Sequence, residues 1–218
     1  MKIHCIFARI SVLLLLVATL TLSGCRSSKN ATTDSVAQTE IATPSKTWQN
    51  VYMPVKVELL QPQKFSISGR ATMVADSYVL ISLRFFGMEV GQIYVDGANA
   101  TLVLRQPQKI WMEQPVAEAM SAIGVTLSDL QDALLGNEAV LAKLPSQFVA
   151  NSSVTSDGDS SQMLLTATHN GKQFAVRITS DLKSAEWNVK SPRTFTAPSS
   201  SEYKSVTLQS ALKLVESL

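Results

Sequence analysis

Lys64-Phe65-Ser66-Ile67-Ser68-Gly69-Arg70-Ala71-Thr72-Met73 alternates between polar and apolar side chains along its length. Successive side chains of an extended strand point to opposite faces, so Phe65, Ile67, Ala71 and Met73 share one face and Lys64, Ser66, Arg70 and Thr72 the other. One face is apolar and the other is wet. Residues 78–86 repeat the pattern with Val79, Ile81, Leu83 and Phe85, and a strand over 90–95 follows the turn at Gly87. Asp96-Gly97 is a hairpin signal leading into 101–105, and Asp157-Gly158 and Asn170-Gly171 supply two more. Further strands read over 110–112, 147–154, 162–169, 173–179 and 185–189. Tight turns between consecutive strands predict an antiparallel sheet, mostly a meander.

Midway through the strands the period changes from two to that of a helix. Pro115 at a first helical position opens Val116, Ala119, Met120 and Ile123, spaced as one helix face, and Gly124 stops it. Ser128 with Gln131 three residues on reads as the capping box of a second helix carrying Leu127, Leu130, Leu134 and Leu135, ended by Gly136. Two short apolar-faced helices inserted into a one-sided sheet are expected to cover its apolar face. Leu208, Ala211, Leu212 and Val215 also have helical spacing.

The start of the chain predicts how the protein is held. Lys2 and Arg9 flank a cationic beginning, and the apolar stretch over residues 10–22 falls short of the ~20 residues that cross a bilayer, so residues 1–24 read as a signal peptide. It ends at Leu22-Ser23-Gly24-Cys25, which resembles the bacterial lipobox. That resemblance implies that the Cys25 thiol receives a diacylglycerol and that the freed amine is acylated too, with an ordinary thiol beyond a differently cleaved signal as the alternative. Acylation uses the only cysteine left after processing, so no disulfide and no cysteine nucleophile remain. More than one acyl chain, at about 0.8 kcal/mol per buried CH₂, gives stable attachment. Residues 25–47 form the acylated cysteine and a polar Ser/Thr-rich linker, with a flexible-coil span of ~25 Å. The residue after Cys25 is Arg26 and not the aspartate that retains enteric lipoproteins at the inner membrane, so the sorting rule points to the bacterial outer membrane, facing the periplasm.

Composition narrows the function. The chain of 218 residues is 45% hydrophobic and 17% charged, enough to bury one core over 48–218. Its 19 basic residues less Lys2 and Arg9 leave 17, against 17 acidic, and no basic run stands out. Nucleic acid is therefore not an expected partner, since phosphate backbones need clustered Lys and Arg. His169 is the only histidine outside the signal peptide and precedes a turn, so no zinc site and no histidine base is expected. Asp157-Gly158-Asp159 lacks the further oxygen ligands of a calcium loop. Asp129 and Asp132 suit a helix start, and Arg70 and Arg84 read as solvated charges on polar strand faces. Glu89 and Glu113 are the carboxylates whose pairing the sequence leaves open. The chain is read as a non-enzyme without metal or cofactor.

The order of elements resembles that of LolB, the outer-membrane receptor for lipoproteins. Phe65-Ser66-Ile67-Ser68-Gly69-Arg70 is similar to that family's opening aromatic strand. Leu83-Arg84-Phe85-Phe86-Gly87-Met88-Glu89 resembles its strand ending in Pro-Leu-Gly, and Leu127 through Gly136 its Leu-rich helix closing in Leu-Leu-Gly. The likeness runs in order over residues 48–190, and uncharacterised lipoproteins of the LolA/LolB superfamily look closer still around Leu134-Leu135-Gly136-Asn137. It implies a mainly β fold with inserted helices: a strongly curved antiparallel half-barrel of about eleven strands closed by a helical lid over a cavity for acyl chains. LolB proteins carry an extra strand and a protruding apolar loop where this chain has only Val74-Ala75-Asp76-Ser77. Phe85, Phe86 and Met88 are the candidate replacement for that membrane contact, with a buried corner as the alternative.

The expected cavity lining is Phe65, Ile67, Met73, Val79, Ile81, Leu83, Ile93, Leu102 and Leu104 from the sheet, with Met120, Ile123, Leu130 and Leu134 from the lid. Periodicity does not distinguish such a lining from a packed core. Two functions stay open: transfer of lipoprotein acyl chains or related lipids from a soluble periplasmic carrier to the membrane, or a structural adaptor docking another envelope protein.

Overall fold

The computed structural model describes residues 47–61, 64–106, 109–144, 152–169, 172–199, 201–207 and 210. The signal peptide, Cys25, the 25–46 part of the linker, the 147–151 part of an expected strand, the Asn170-Gly171 turn and the helical spacing from Leu208 to Val215 lie outside the described residues. The remainder is mainly β: an eleven-stranded, mostly antiparallel sheet with a few short helices. Its strands are β1 Asn50–Gln61, β2 Phe65–Val74, β3 Tyr78–Phe85, β4 Met88–Val95, β5 Asn99–Leu104, β6 Ile110–Pro115, β7 Ser153–Ser156, β8 Ser160–His169, β9 Lys172–Asp181, β10 Glu186–Trp187 and β11 Lys204–Ser205. Spatial order is β11-β6-β5-β4-β3-β2-β1-β9-β8-β7, with β10 beside β1. Between β6 and β7 come helix α1 Ala117–Ala122, helix α2 Leu127–Leu134 and a 3-10 turn Glu138–Lys143.

The expected strong curvature is corrected: the sheet is neither closed nor strongly curled. Closure needs a long ladder between the two edge strands. Among the described residues the edges are β7, with four residues, and β11, with two. Edges that short leave little backbone to pair with a neighbour.

The apolar face is a register made visible. Met53, Ala71, Ile81, Ile93, Leu102 and Met112 stand side by side across six consecutive strands. All are buried in one continuous core. β1, the longest strand, alternates through Val51, Met53, Val55, Val57 and Leu59, but carries Pro54 on its other face, a residue that argues against a central strand. In the sheet Pro54 pairs with β2, while on its other side β10 covers Val51 and Tyr52 and β9 takes over from Val55. Proline thus sits where β1 changes neighbours, at a gap in the ladder that needs no donor from it.

Two helix starts also differ from expectation. Pro115 is the last residue of β6, and α1 begins after Val116, whose N–H donates to the Ala98 carbonyl at 2.8 Å and ties the helix to the β4–β5 turn. The capping box of α2 belongs to Thr126 and Asp129, one reciprocal pair upstream of Ser128. Gln131 is then available for burial. It donates to the Val74 and Tyr78 carbonyls at 2.7 and 3.0 Å and accepts from the Asp76 N–H at 3.1 Å, clasping the β2–β3 turn. At its other end, α2 passes into Gly136, where φ is +93° and an added Cβ would stand 2.6 Å from the Ser156 Cβ. Glycine therefore lets the end of α2 seat directly on the β7–β8 hairpin.

The wet face is covered by the chain's own C-terminal segment. The expected strand over 185–189 shrinks to β10 because Asn188 turns at φ +55° and exchanges hydrogen bonds with Gln49 and Asn50. The following strap crosses β3 and β4: the Tyr78 hydroxyl donates to the Arg193 carbonyl at 2.7 Å, and Phe195 stacks on Tyr94 with centroids 4.4 Å apart. The segment then reaches β6 and pairs with it in parallel as β11. This cover explains why Leu80, Ser82, Gln92 and Thr101 are buried although they occupy the polar face. β1 starts beside the β2–β3 turn, since Asn50 pairs with Val74, whereas β3 runs from there to Phe85 at the far end of the sheet.

Candidate functional site

The far end of β3 carries three of the four exposed large apolar side chains among the described residues, the fourth being Trp187 of β10. Phe86 is 88% exposed, Met88 67% and Phe85 39%. The expectation placed Phe85 on the apolar face with Leu83. A β-bulge intervenes: Leu83 pairs with Gly91 and Arg84 with Glu89, leaving Val90 as the extra residue of β4. A bulge bends the strand and re-aims the residues beyond it. Phe85 and Met88 then pair across a two-residue turn of Phe86 and Gly87, with φ of +48° and +80°. Both central residues of such a turn lie in the left-handed region, where Asn-Gly is preferred and a bulky side chain is an outlier. Phe86 accepts backbone strain to hold an aromatic ring in water, edge-on to Phe85 at 4.5 Å.

Behind the tip lies a charged collar. Glu89, 17% exposed, accepts from the Arg105 Nε at 3.0 Å and from the Arg193 Nη2. Arg193 also donates to the Ser82 Oγ at 2.7 Å, and Arg105 to the Tyr203 hydroxyl at 3.1 Å. Arg84, across the ladder from Glu89, is half-buried, and its Nε has no hydrogen-bond partner among the described residues. The solvated-charge expectation for Arg84 is therefore corrected, because its Nε is buried beside the bulge. Arg70 instead lies over the Tyr52 ring, 5.2 Å from its centroid.

The expected lining residues converge on one side of the sheet. Phe65, Ile67, Met73, Val79, Ile81, Leu83, Ile93, Leu102 and Leu104 belong to, or pack on, a single core together with Met120, Leu130 and Leu134. Ile123, the C-cap of α1, is half-buried. Exposure falls to 0% at Met73 and Leu83 and 1% at Leu102 and Leu104, so these side chains touch one another or their neighbours in the resting structure. Asp129 closes the start of α2 and ties it to the 3-10 turn. Partial burial pushes its carboxyl up, but hydrogen bonds from Lys143 and from the Thr126 backbone and hydroxyl, at 2.7 and 2.8 Å, hold it below the ordinary carboxylate range.

The remaining candidates take structural places. Asp157 accepts from the Asp159 and Ser160 N–H groups, which lowers its pKa and closes the β7–β8 turn. Glu89 is held by arginines, and Glu113 is exposed on β6 with β5 between them. The His169 side chain lies outside the described part of the structure. Among the described residues no group of three or more His, Cys, Asp or Glu is placed to hold a metal, and no helix is long and apolar enough to cross a membrane.

Sequence reasoning missed Arg105, Arg193, Phe195 and Tyr203. Arg105 ends an expected strand, while the segment of the other three reads as Ser/Pro/Thr-rich loop, and only the aromatic residues spaced through it signal that it is fastened down. No family model and no curated protein matches the chain. Among solved structures, an SsgA-like sporulation-specific cell division protein from Thermobifida fusca aligns at 9% identity over 63% of this chain and 75% of that one. Its TM-score of 0.25 carries no argument about fold or role.

Proposed function

We propose that this chain is a lipid-anchored, periplasm-facing protein of the bacterial outer membrane that handles acyl chains. Its β3–β4 hairpin touches the bilayer, and its lid, α1 through the 3-10 turn, shelters a chain against the apolar face of the sheet. The observation that carries this reading is Phe86, kept in a strained turn with its ring in solvent. Strain retained at an exposed tip points to use there, because asparagine would make the same turn without it. Exposing an acyl chain of ~16 carbons to water costs on the order of 10 kcal/mol, so transfer needs an apolar shelter next to a membrane contact. Since the expected lining is packed in the resting structure, a chain enters only when α2 lifts from the β7–β8 hairpin. No covalent chemistry is required.

A second reading, the structural adaptor, is favoured by that same packing at Met73, Leu83, Leu102 and Leu104. Native mass spectrometry of the chain from Cys25 onward separates the two. Co-purified lipid, displaced by Leu83→Trp, supports acyl handling. A stoichiometric protein partner without lipid supports the adaptor and overturns the first reading.

A further inference from the structure

We infer that the arginine collar behind the hairpin tip binds the phosphates of anionic phospholipids, so that the tip docks selectively on a negatively charged bilayer. The inference rests on the membrane-docking reading of the hairpin and adds the class of lipid it selects. Its starting point is local charge. The chain beyond the signal peptide is balanced overall, yet Arg105 and Arg193 both pair with a single carboxylate, Glu89, and Arg84 stands opposite it in the ladder. Three guanidinium groups against one carboxylate leave a net charge of about +2 one residue behind Phe85 and Met88. The neighbouring Lys109 is paired with Glu202 at 3.4 Å and does not change that balance.

The geometry gives those charges a use. An aromatic tip that enters the acyl boundary brings residues one step behind it to the level of the headgroups. Arg105 and Arg193 remain 42% and 40% exposed, and each guanidinium has five N–H donors, more than Glu89, Ser82 and Tyr203 accept. Arg84 is in no ion pair among the described residues, so its charge is uncompensated there; its Nε is buried, which leaves the rest of its half-buried guanidinium to face the headgroups. Guanidinium donors arranged in this way match phosphate oxygens, which accept several hydrogen bonds and carry the complementary charge. A neutral apolar partner would leave the collar unanswered, and a strongly acidic protein surface would leave the exposed phenyl ring unburied. A bilayer containing anionic lipid satisfies both.

The test is vesicle flotation of the chain from Cys25 onward carrying Cys25→Ser, so that no acyl anchor holds it. The vesicles are phosphatidylcholine alone or an equimolar mixture with phosphatidylglycerol. Wild-type partitioning is expected to be at least tenfold stronger on the mixture and to fall towards the neutral value in high salt. Arg84→Gln is expected to lower binding to the mixture about fivefold without altering binding to phosphatidylcholine, and Arg84→Lys to restore it in part. Phe86→Asn fits the turn better than phenylalanine and so stays folded, with a raised melting temperature, but loses binding to both vesicles. Equal wild-type binding to the two vesicles, with Phe86→Asn still defective, overturns the anionic selectivity and leaves the docking reading standing. Phe86→Asn binding like wild type overturns the docking reading and this inference together.

Discussion

Two side chains of the lid show how much depends on single groups. Gln131 is fully buried and bridges α2 to the β2–β3 turn through bonds to Val74, Asp76 and Tyr78. Gln131→Leu keeps the volume and removes those bonds, so the unfolding free energy should drop by roughly 2 to 4 kcal/mol, with an unchanged urea m-value. Asp129 gives the lid a pH dependence. Its folded pKa lies below the unfolded value of about 3.9, so its contribution is present above about pH 4 and is lost as pH falls through the lowered folded value. Wild type should be more stable than Asp129→Asn at neutral pH, and the difference should close under acid, as followed by thermal melts. The helix itself was legible from Leu127, Leu130 and Leu134, but its cap was not. Ser128 and Gln131 have the right spacing, and so do Thr126 and Asp129; only the tertiary demand for Gln131 inside the turn decides between them.

Among the elements, the C-terminal strap is held by few contacts for its length. Glu89 fastens it by accepting from Arg193, while Arg105 links the same carboxylate to Tyr203 next to β11. Glu89→Gln removes the charge that both arginines use. Charge-assisted hydrogen bonds of this kind contribute about 1.5 to 3 kcal/mol, so trypsin should cut near Lys190 and Arg193 roughly tenfold faster, while the amides of β3 and β4 keep their hydrogen-exchange protection. Strands with clean alternation, β2 and β3 above all, were legible because burial on one face imposes period two. β1 was hidden by Pro54, and β11 has two residues and no pattern of its own. The strap was hidden because it buries the backs of other strands without showing a period.

On the scale of the molecule, alternation and turn signals foretold a mainly antiparallel sheet with helices inserted midway, and both are present. Curvature was not legible, because it depends on how the edges of the sheet end, which no local pattern records. The exposed tip was half legible. Phe85-Phe86-Gly87-Met88 marks a turn, but the bulge at Val90 that swings it outward comes from pairing with Arg84 and Glu89 and leaves no trace in local composition.

The placement of Asn50 and Phe86 at opposite ends of the sheet sets a minimum leash. If Cys25 carries the proposed anchor, a hairpin tip about seven strand steps, or ~23 Å, from where the domain begins can meet the same bilayer only if the intervening segment doubles back along the whole body. Residues 26–47 allow this easily, whereas a spacer of about five residues reaches at most ~17 Å. In acylated protein carrying Phe86→Trp, brominated lipid should quench the new indole with the natural spacer and fail to do so with the shortened one. Trimming the spacer would then leave a molecule fully folded, fully anchored and facing the wrong way.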